Sequence, residues 1–495
     1  MLKVSDPDSL QEMASFAHGD SPITFIRFSP DSSWMAFADT SNYVYVLNFA
    51  IIEEPAPQPE DDDGSVEPSP PTPTWNYVGR VKSHTRAITG LEFTVREDGR
   101  LALVSVAEDR MLVEYDLSEA TPETGFKLRG EPTKIEQVAV PTACMWHPLL
   151  GGDFEDRVVT ANNEFKFKQW NADNKSCRRT SLCPTYGGPL TSLQTIPAIN
   201  PERNQYGPSP YVLYSTAEKV VGIVKIPLDG NPNKAMGLIA HPTAISSVTV
   251  SSDGRYCMSA GGEDRCVNIW QISTKALDVK YEEAVTRAEG LGSASMYSEL
   301  IDQEVKEDLI DYFYYAQLRT QGEDTMEERK ITGLVPLKEL PNLVRALGYY
   351  PSEEECANMI AEVYYANFTE TGETCDTIDL DTFIKLYINH KPVFGTSKAE
   401  IAEAFDSIGK GSHMSWAKLV GLLKEKGEVM TEDDLKNIMK ALLGKGAEDE
   451  INPTEIMTAE KFSDKILGFD EDVEEEKDLD IGLDETGVTG LSLAV

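Results

Sequence analysis

The segment HPTAISSVTVSSDGRYCMSAGGEDRCVNIWQIS, His241 to Ser273, alternates apolar and polar residues and breaks at Ser252-Asp253-Gly254 and Gly261-Gly262-Glu263-Asp264. A period of two bounded by Gly and Asp clusters predicts short antiparallel strands joined by tight turns. The segment HTRAITGLEFTVREDGRLALVSVAEDRMLVEYDLS, His84 to Ser118, follows the same order. Each opens on His, turns at Asp-Gly, runs through a small-residue strand to Glu-Asp-Arg, and closes on an apolar strand with an aromatic. From Glu299 onward the apolar period moves towards 3.6, which predicts helices. Val335 to Val363 reads as two amphipathic helices, the second opened by a capping box of Ser352 and Glu355. Ser397 with Glu400, and Thr431 with Asp434, open later helices in a similar way. Pro341 lies inside the first helix pattern and marks its early turn or a kink. The pattern therefore predicts several domains. An all-β array spans residues 1–275, a helical linker 276–298, an all-α domain 299–469 and an acidic, disordered tail 470–495.

The two β segments resemble WD40 repeats, whose period is about 40–45 residues. The resemblance implies a propeller. It also implies a hydrogen-bonded network of one His, one Ser, one Asp and one aromatic residue within a blade. Those positions hold His241, Ser259, Asp264 and Trp270 in one copy, and His84, Ser105, Asp109 and Tyr115 in the other. A turn Asp needs donors when it is taken out of water. Three weaker copies accompany these. Ser21 to Phe49 keeps the strands and the Pro30-Asp31 turn but not the network. Val138 to Asn171 keeps Trp170, and Pro189 to Leu228 keeps only strand patterning. That makes five blades, whereas a closed WD40 ring commonly has about seven. The favoured explanation is that the chain begins inside a propeller. The alternative is that further blades come from another segment or chain. No capping strand is recognisable at the start.

The helical stretches resemble calmodulin and related EF-hand proteins, in spacing as well as in caps. The resemblance implies four helix–loop–helix units in two lobes. A working calcium loop places oxygen ligands at positions 1, 3 and 5, Gly at 6 and a bidentate Glu at 12. In the first loop position 12 is Glu339 and position 6 is Gly333, but positions 1, 3 and 5 are Glu328, Lys330 and Thr332. Position 12 is Thr382 in the second loop, Lys418 in the third and Lys461 in the fourth. Losing the bidentate carboxylate removes two oxygens, and a Lys in its place adds repulsion. All four loops therefore read as degenerate, with no metal and no cofactor. The first and second loops are where a cation could still bind irregularly, since Glu370, Glu373, Asp376, Asp379 and Asp381 crowd near Thr382. A lobe without an ion to switch it reads as a constitutive clamp for an amphipathic helix. Met359, Met414, Met430, Met439 and Met457 fit such a groove, although core packing is the expected role for most of them.

Composition narrows the partners. The 495 residues carry 45 Lys and Arg against 83 Asp and Glu, a net charge of −38. Such a balance argues against nucleic acid and anionic membrane surfaces and favours basic protein surfaces. Residues 53–74, EEPAPQPEDDDGSVEPSPPTPT, read as a flexible, disordered insertion between two blades. The seven cysteines show no CxxC pair and read as free thiols of a reducing compartment. No signal peptide or bilayer-length apolar run is recognised, which reads as cytoplasmic. His84 and His241 have no Cys or His at ligand spacing, and no nucleophile elbow, P-loop or HExxH occurs. No enzymatic activity is expected.

A WD40 array followed by a degenerate calmodulin-like domain is an uncommon pairing. With the phrases TGLVPLKELPNLVRALGYYPSEEE and DTFIKLYINHKPVFG, the chain resembles the C-terminal part of the cilia- and flagella-associated protein 251 family, from about residue 14 to 469. The resemblance implies a subunit of the calmodulin- and spoke-associated complex in the axonemal cytoskeleton of motile cilia and flagella. It would be a structural scaffold at the radial spoke base that supports regulation of dynein-driven motility. Its partners would be other subunits of that complex, radial spoke base proteins and calmodulin. Docking on spoke-base proteins is expected in preference to the acidic microtubule surface. Two other classes stay open: a calcium sensor with working EF-hands, and a WD40 substrate adaptor of a ubiquitin ligase.

Overall fold

The computed structural model describes residues 2–5, 11–17, 19, 21–50, 74–96, 98–150, 155–200, 205–322, 326, 328–366, 368–409, 413–443 and 454–469. The expected insertion (apart from Thr74) and the acidic tail lie outside the described residues. The chain divides into two compact units, Met1–Val393 and Phe394–Val495.

Unit 1 begins with five blades of a β-propeller, at residues 23–82, 88–134, 141–182, 190–239 and 245–271. The first four each carry four strands paired antiparallel in chain order, with a short fifth strand, Thr133–Lys134, on the second blade. The fifth blade has three strands. The strand Leu101–Ala107 shows why the array coheres. Leu103 and Ala107 join a core with Ala36, Val44 and Val46 of the first blade. Ala102, Val104 and Val106 point the other way, into a core with Trp146, Val158 and Trp170 of the third. Alternate residues thus serve two inter-blade cores, so a strand of period two is apolar at nearly every position. The same division repeats between blades three and four, through Met145, Phe167, Leu193 and Tyr214, and between four and five, through Leu213, Val221, Val248 and Cys257. Each blade is therefore stabilised by its neighbours.

Among the described residues, no further blade packs on the free side of the first or the fifth. Ile26 and Phe28 of the first, and Val267 and Ile269 of the fifth, are exposed. The first blade is partly covered by a hairpin that the sequence reading misses. Leu2–Ser5 pairs antiparallel with Glu12–Phe16, and Leu2 packs with Met35, Phe37, Tyr45 and Leu47. Strands of four and five residues with two or three apolar positions each carry too short a period to be recognised.

Unit 1 continues into helices α1 (Lys275–Ala288), α2 (Gln303–Thr320), α3 (Leu340–Ala346), α4 (Glu353–Tyr364), α5 (Phe368–Thr371) and α6 (Leu380–His390). Helix α1 lies on the fourth blade, where Asp278 takes Lys225 Nζ at 2.6 Å and Tyr211 OH at 2.7 Å. Helices α2–α3 and α4–α6 form two helix–loop–helix units. They are tied by a short antiparallel ribbon of Leu334–Pro336 and Thr377–Asp379. Phe313, Val335, Leu340, Met359, Ile378 and Phe383 form their common core. Pro341 falls in the first turn of α3, where its missing N–H is harmless. The Ser352–Glu355 capping box is present at α4.

Unit 2 repeats this plan. Helices α7 (Lys398–Gly409), α8 (Trp416–Glu425) and α9 (Glu432–Leu443) precede α10 (Ala459–Lys461), which continues as π-helical Phe462–Ile466. The ribbon here pairs His413–Ser415 with Ile456–Thr458. Met414, Met439 and Met457 are buried in its core, and Met359 in that of unit 1, while Met430 is partly exposed. The division between units falls at Val393/Phe394, within the stretch 299–469 that the sequence reads as one helical domain.

Candidate functional site

Three polar constellations are the candidates: the blade networks, the loops between paired helices, and a joint between propeller and helices.

In the second blade, His84 Nε2 lies 2.7 Å from Ser105 Oγ, and Ser105 Oγ lies 2.8 Å from Tyr115 OH. His84 Nδ1 faces Asp109 at 3.1 Å, and Asp109 also accepts from the backbone of Thr85 at 2.8 Å. In the fifth blade, His241 joins Asp264 at 2.7 Å and Ser259 at 2.8 Å, and Trp270 Nε1 donates to Ser259 at 2.9 Å. Burial lowers the His84 pKa in spite of Asp109, so the neutral ring is favoured. Burial pushes the Tyr115 hydroxyl up to about 12. Every polar atom of each histidine ring is thus spent inside a blade.

The weaker copies keep more than their sequence suggests. In the first blade Asp39 is buried and accepts from Ser41 N at 2.9 Å, Tyr43 N at 3.0 Å and Tyr45 OH at 2.9 Å. A turn Asp and an aromatic hydroxyl thus survive where the sequence reading sees no network, because no His marks them. In the third blade Trp170 Nε1 donates to Thr160 Oγ1 at 2.9 Å, and Asn162 bridges the turn to buried Glu136 at 3.1 Å.

Three acidic groups of the loops, Glu339, Asp379 and Asp381, are held in bonds to protein. Glu339 receives the Arg319 guanidinium and, at 3.1 Å, Asn342 Nδ2. Burial works against its ionisation, but the Asn342 and Arg319 bonds outweigh it and hold the carboxyl below the usual range. Gly333 takes a left-handed φ of 72°, which a side chain would resist. Thr382, at position 12 of the second loop, is the third residue of α6. Its N–H and hydroxyl donate to Asp379 at 2.9 and 3.0 Å, which caps the helix. Asp381 accepts from Ser293 Oγ at 2.9 Å and Ala294 N at 3.2 Å. Lys418 is exposed on α8. Lys461 N is capped by Thr458 at 3.2 Å, with its ammonium 3.9 Å from Glu455. Among the described residues, no group of three His, Cys, Asp or Glu side chains is placed to hold a metal.

The joint is built where α6 meets blades three and four, and no sequence reading assigns it. Lys166, buried in the strand Lys166–Asn171, extends its ammonium to the carbonyls of Asn389 and Lys391, each at 2.6 Å. These carbonyls end α6 and have no partner within the helix. Asn389 accepts from Leu182 N at 3.1 Å and donates to Asp229 O at 3.0 Å. Glu362 of α4 accepts from Thr180 N at 3.1 Å and lies 3.0 Å from His390 Nε2. Tyr297 OH donates to Asp229 O at 3.0 Å. Burial lowers the Lys166 pKa to about 7. The available signal was a single Lys between Phe165 and Phe167, and the polar run Asn389-His390-Lys391 closing an apolar helix. The first pair of helix–loop–helix units is therefore fixed to the propeller by buried and half-buried polar bonds.

Residues 304–467 match the family described as CFAP251 C-terminal domain, and residues 233–271 match the WD domain, G-beta repeat. The chain is 32% identical over 521 residues to cilia- and flagella-associated protein 251 of Tetrahymena thermophila, covering 95% of this chain and 50% of that protein. It is 34% identical over 481 residues to the protein of the same name from Pongo abelii, covering 92% and 39%. The Chlamydomonas reinhardtii protein of that name is 28% identical over 407 residues, covering 81% and 38%. The chain thus spans about half or less of the length of the curated relatives it matches. Their shared name agrees with the ciliary and flagellar address expected from the sequence. With its propeller blades, its WD repeat and a helical region that matches the CFAP251 C-terminal domain, the chain is similar over most of its own length to the proteins named cilia- and flagella-associated protein 251.

Proposed function

We propose that the chain is a non-enzymatic interaction scaffold of the motile-cilium axoneme, acting at the radial spoke base within the calmodulin- and spoke-associated complex. The observation that carries this reading is the joint. Buried and half-buried bonds from Lys166, Asn389 and Glu362 join propeller and first helical lobe, which suits a part that holds others at a fixed spacing. The paired helix–loop–helix units read as EF-hand-like lobes that keep their shape without an ion. The Arg319–Glu339 pair supports this, since a guanidinium occupies the carboxylate that an ion would need. Calcium control would then come from a calmodulin partner, and the lobe of unit 2 would take an amphipathic helix. The test is cryo-electron tomography of axonemes from cells lacking the protein, rescued with tagged full-length protein. Missing density at the spoke base, restored and labelled on rescue, is expected. An intact spoke base with tag density elsewhere overturns the assignment.

A further inference from the structure

We propose that the outward face of α2 is a docking surface for a lysine- and arginine-rich protein segment with apolar side chains one helical turn apart. The inward face of this helix is spent on the core through Leu309, Phe313, Ala316 and Gln317. At 3.6 residues per turn, Glu304, Asp308, Asp311 and Tyr315 fall in one outward stripe, with Glu307 and Tyr312 at its margins. All six are exposed, Tyr315 by 57% and Tyr312 by 39%.

Two features separate this stripe from an ordinary solvated face. Glu304 and Asp308, and Glu307 and Asp311, stand four residues apart, the spacing at which like charges on a helix repel. Among the described residues no Lys or Arg answers them. Glu304, Asp308 and Asp311 enter no ion pair, and Glu307 accepts only from the neutral amide of Gln303, at 2.8 Å. Arg319, one turn beyond Tyr315, is committed to Glu339. By contrast, buried Glu114 in the propeller is met by Lys175 at 2.7 Å and by Arg96 and Arg129 at 3.6 Å each. A face shaped for helix stability alone would mix its signs. The two exposed tyrosines supply rings on which an ammonium or guanidinium stacks and against which an aliphatic side chain packs. A chain of net charge −38 repels nucleic acid and anionic lipid, which leaves a basic protein segment as the occupant. This surface is independent of where in the cell the chain acts.

The test uses the full chain and a fluorescein-labelled Leu/Lys amphipathic peptide of about 18 residues, read by anisotropy at about 0.15 M salt. Neutralising the stripe with E304Q/D308N/D311N is expected to weaken the peptide about tenfold and to raise the thermal midpoint, because the repulsion is relieved. Tyr315→Ala is expected to weaken it several-fold without raising the midpoint. A matched triple variant on α1 and its C-cap, E282Q/E283Q/E289Q, is expected to change binding by less than about twofold. Equal weakening by both triple variants means unspecific attraction to an acidic chain and overturns the surface. So does unchanged binding in the α2 triple variant.

Discussion

Lys166 Nζ lies 2.6 Å from the carbonyl oxygen of Asn389, a residue 223 positions further along the chain. A side chain of one propeller strand thereby closes the end of a helix that no sequence pattern places beside it. Replacing it by Met leaves one buried and one half-buried carbonyl without this donor, at about 1–3 kcal/mol for each unsatisfied buried group. Lys166→Met is therefore expected to destabilise unit 1 by about 2 kcal/mol or more and to speed hydrogen exchange along α6. The pH dependence follows from the same burial. The folded chain binds the Lys166 proton with a pKa of about 7, against an ordinary 10.5. Between those values the unfolded chain holds more protons than the folded one, so stability rises with pH. Calorimetry from pH 7 to 9 should show the wild-type midpoint gaining on that of Lys166→Met. A gap that narrows as pH rises contradicts the assignment.

Gly230 and Asn389 give a second test of the joint. Gly230 has a φ of 78°, and a Cβ there would overlap Asn389 Oδ1. Gly230→Ala meets left-handed strain of about 1–2 kcal/mol and displaces the amide that bonds Leu182 and Asp229. Asn389→Ala removes the obstacle along with those bonds. In denaturant unfolding the double variant should be less destabilised than the sum of the singles, by about 1 kcal/mol or more. Additivity to within about 0.5 kcal/mol means the two residues act separately.

What was legible in the sequence depended on where each signal lives. The second and fifth blades could be read because His84, Asp109, His241 and Asp264 stand at fixed offsets from a period-two pattern. The first and third blades lost that His, so the bonds of Asp39 to Tyr45 and of Trp170 to Thr160 were hidden behind residue types with many other uses. The five blades and the helical region follow from periodicity, a local property. The joint does not, because Lys166, Glu362 and Asn389 come from three distant elements. A Lys between two Phe reads as an ordinary half-exposed strand position until the helix covering it is known. Position 12 of each loop could be counted from spacing, but not the partner it takes. Glu339 looked like a surviving ligand, and only the fold brings Arg319 to it.

The network of the second blade should be cooperative. Ser105 is fully buried and bonded to both His84 and Tyr115. Ser105→Ala removes both contacts and is expected to cost about 2 kcal/mol, and Tyr115→Phe about 1 kcal/mol. Once Ser105 is gone, the phenol retains only Ser83 Oγ, at 2.5 Å. The second substitution should then cost less than it does alone. Thermal unfolding of the two singles and the double checks this. Strictly additive losses mean that the bonds form no network.

Arg319 and Glu339 decide whether the first loop responds to calcium. Glu339 has the position and the charge of the strongest ligand in a calcium loop, yet the Arg319 guanidinium and Asn342 already hold it. An ion would have to displace that cation and then meet Lys330 at the third position, where an oxygen is required. Removing Arg319 alone therefore frees one ligand without making a site. The full chain is expected to give no calcium heat by calorimetry at submillimolar concentrations, and Arg319→Gln is expected to behave the same way. R319Q/K330D supplies the freed Glu339, Glu328, a new carboxylate at the third position and Thr332. It is expected to bind calcium weakly, with Kd on the order of 0.1–1 mM. Micromolar binding by the unaltered chain would mean that the guanidinium yields to the ion and that the lobe is a switch. Failure of the double variant to bind would mean that the loop backbone, rather than its charges, excludes the ion.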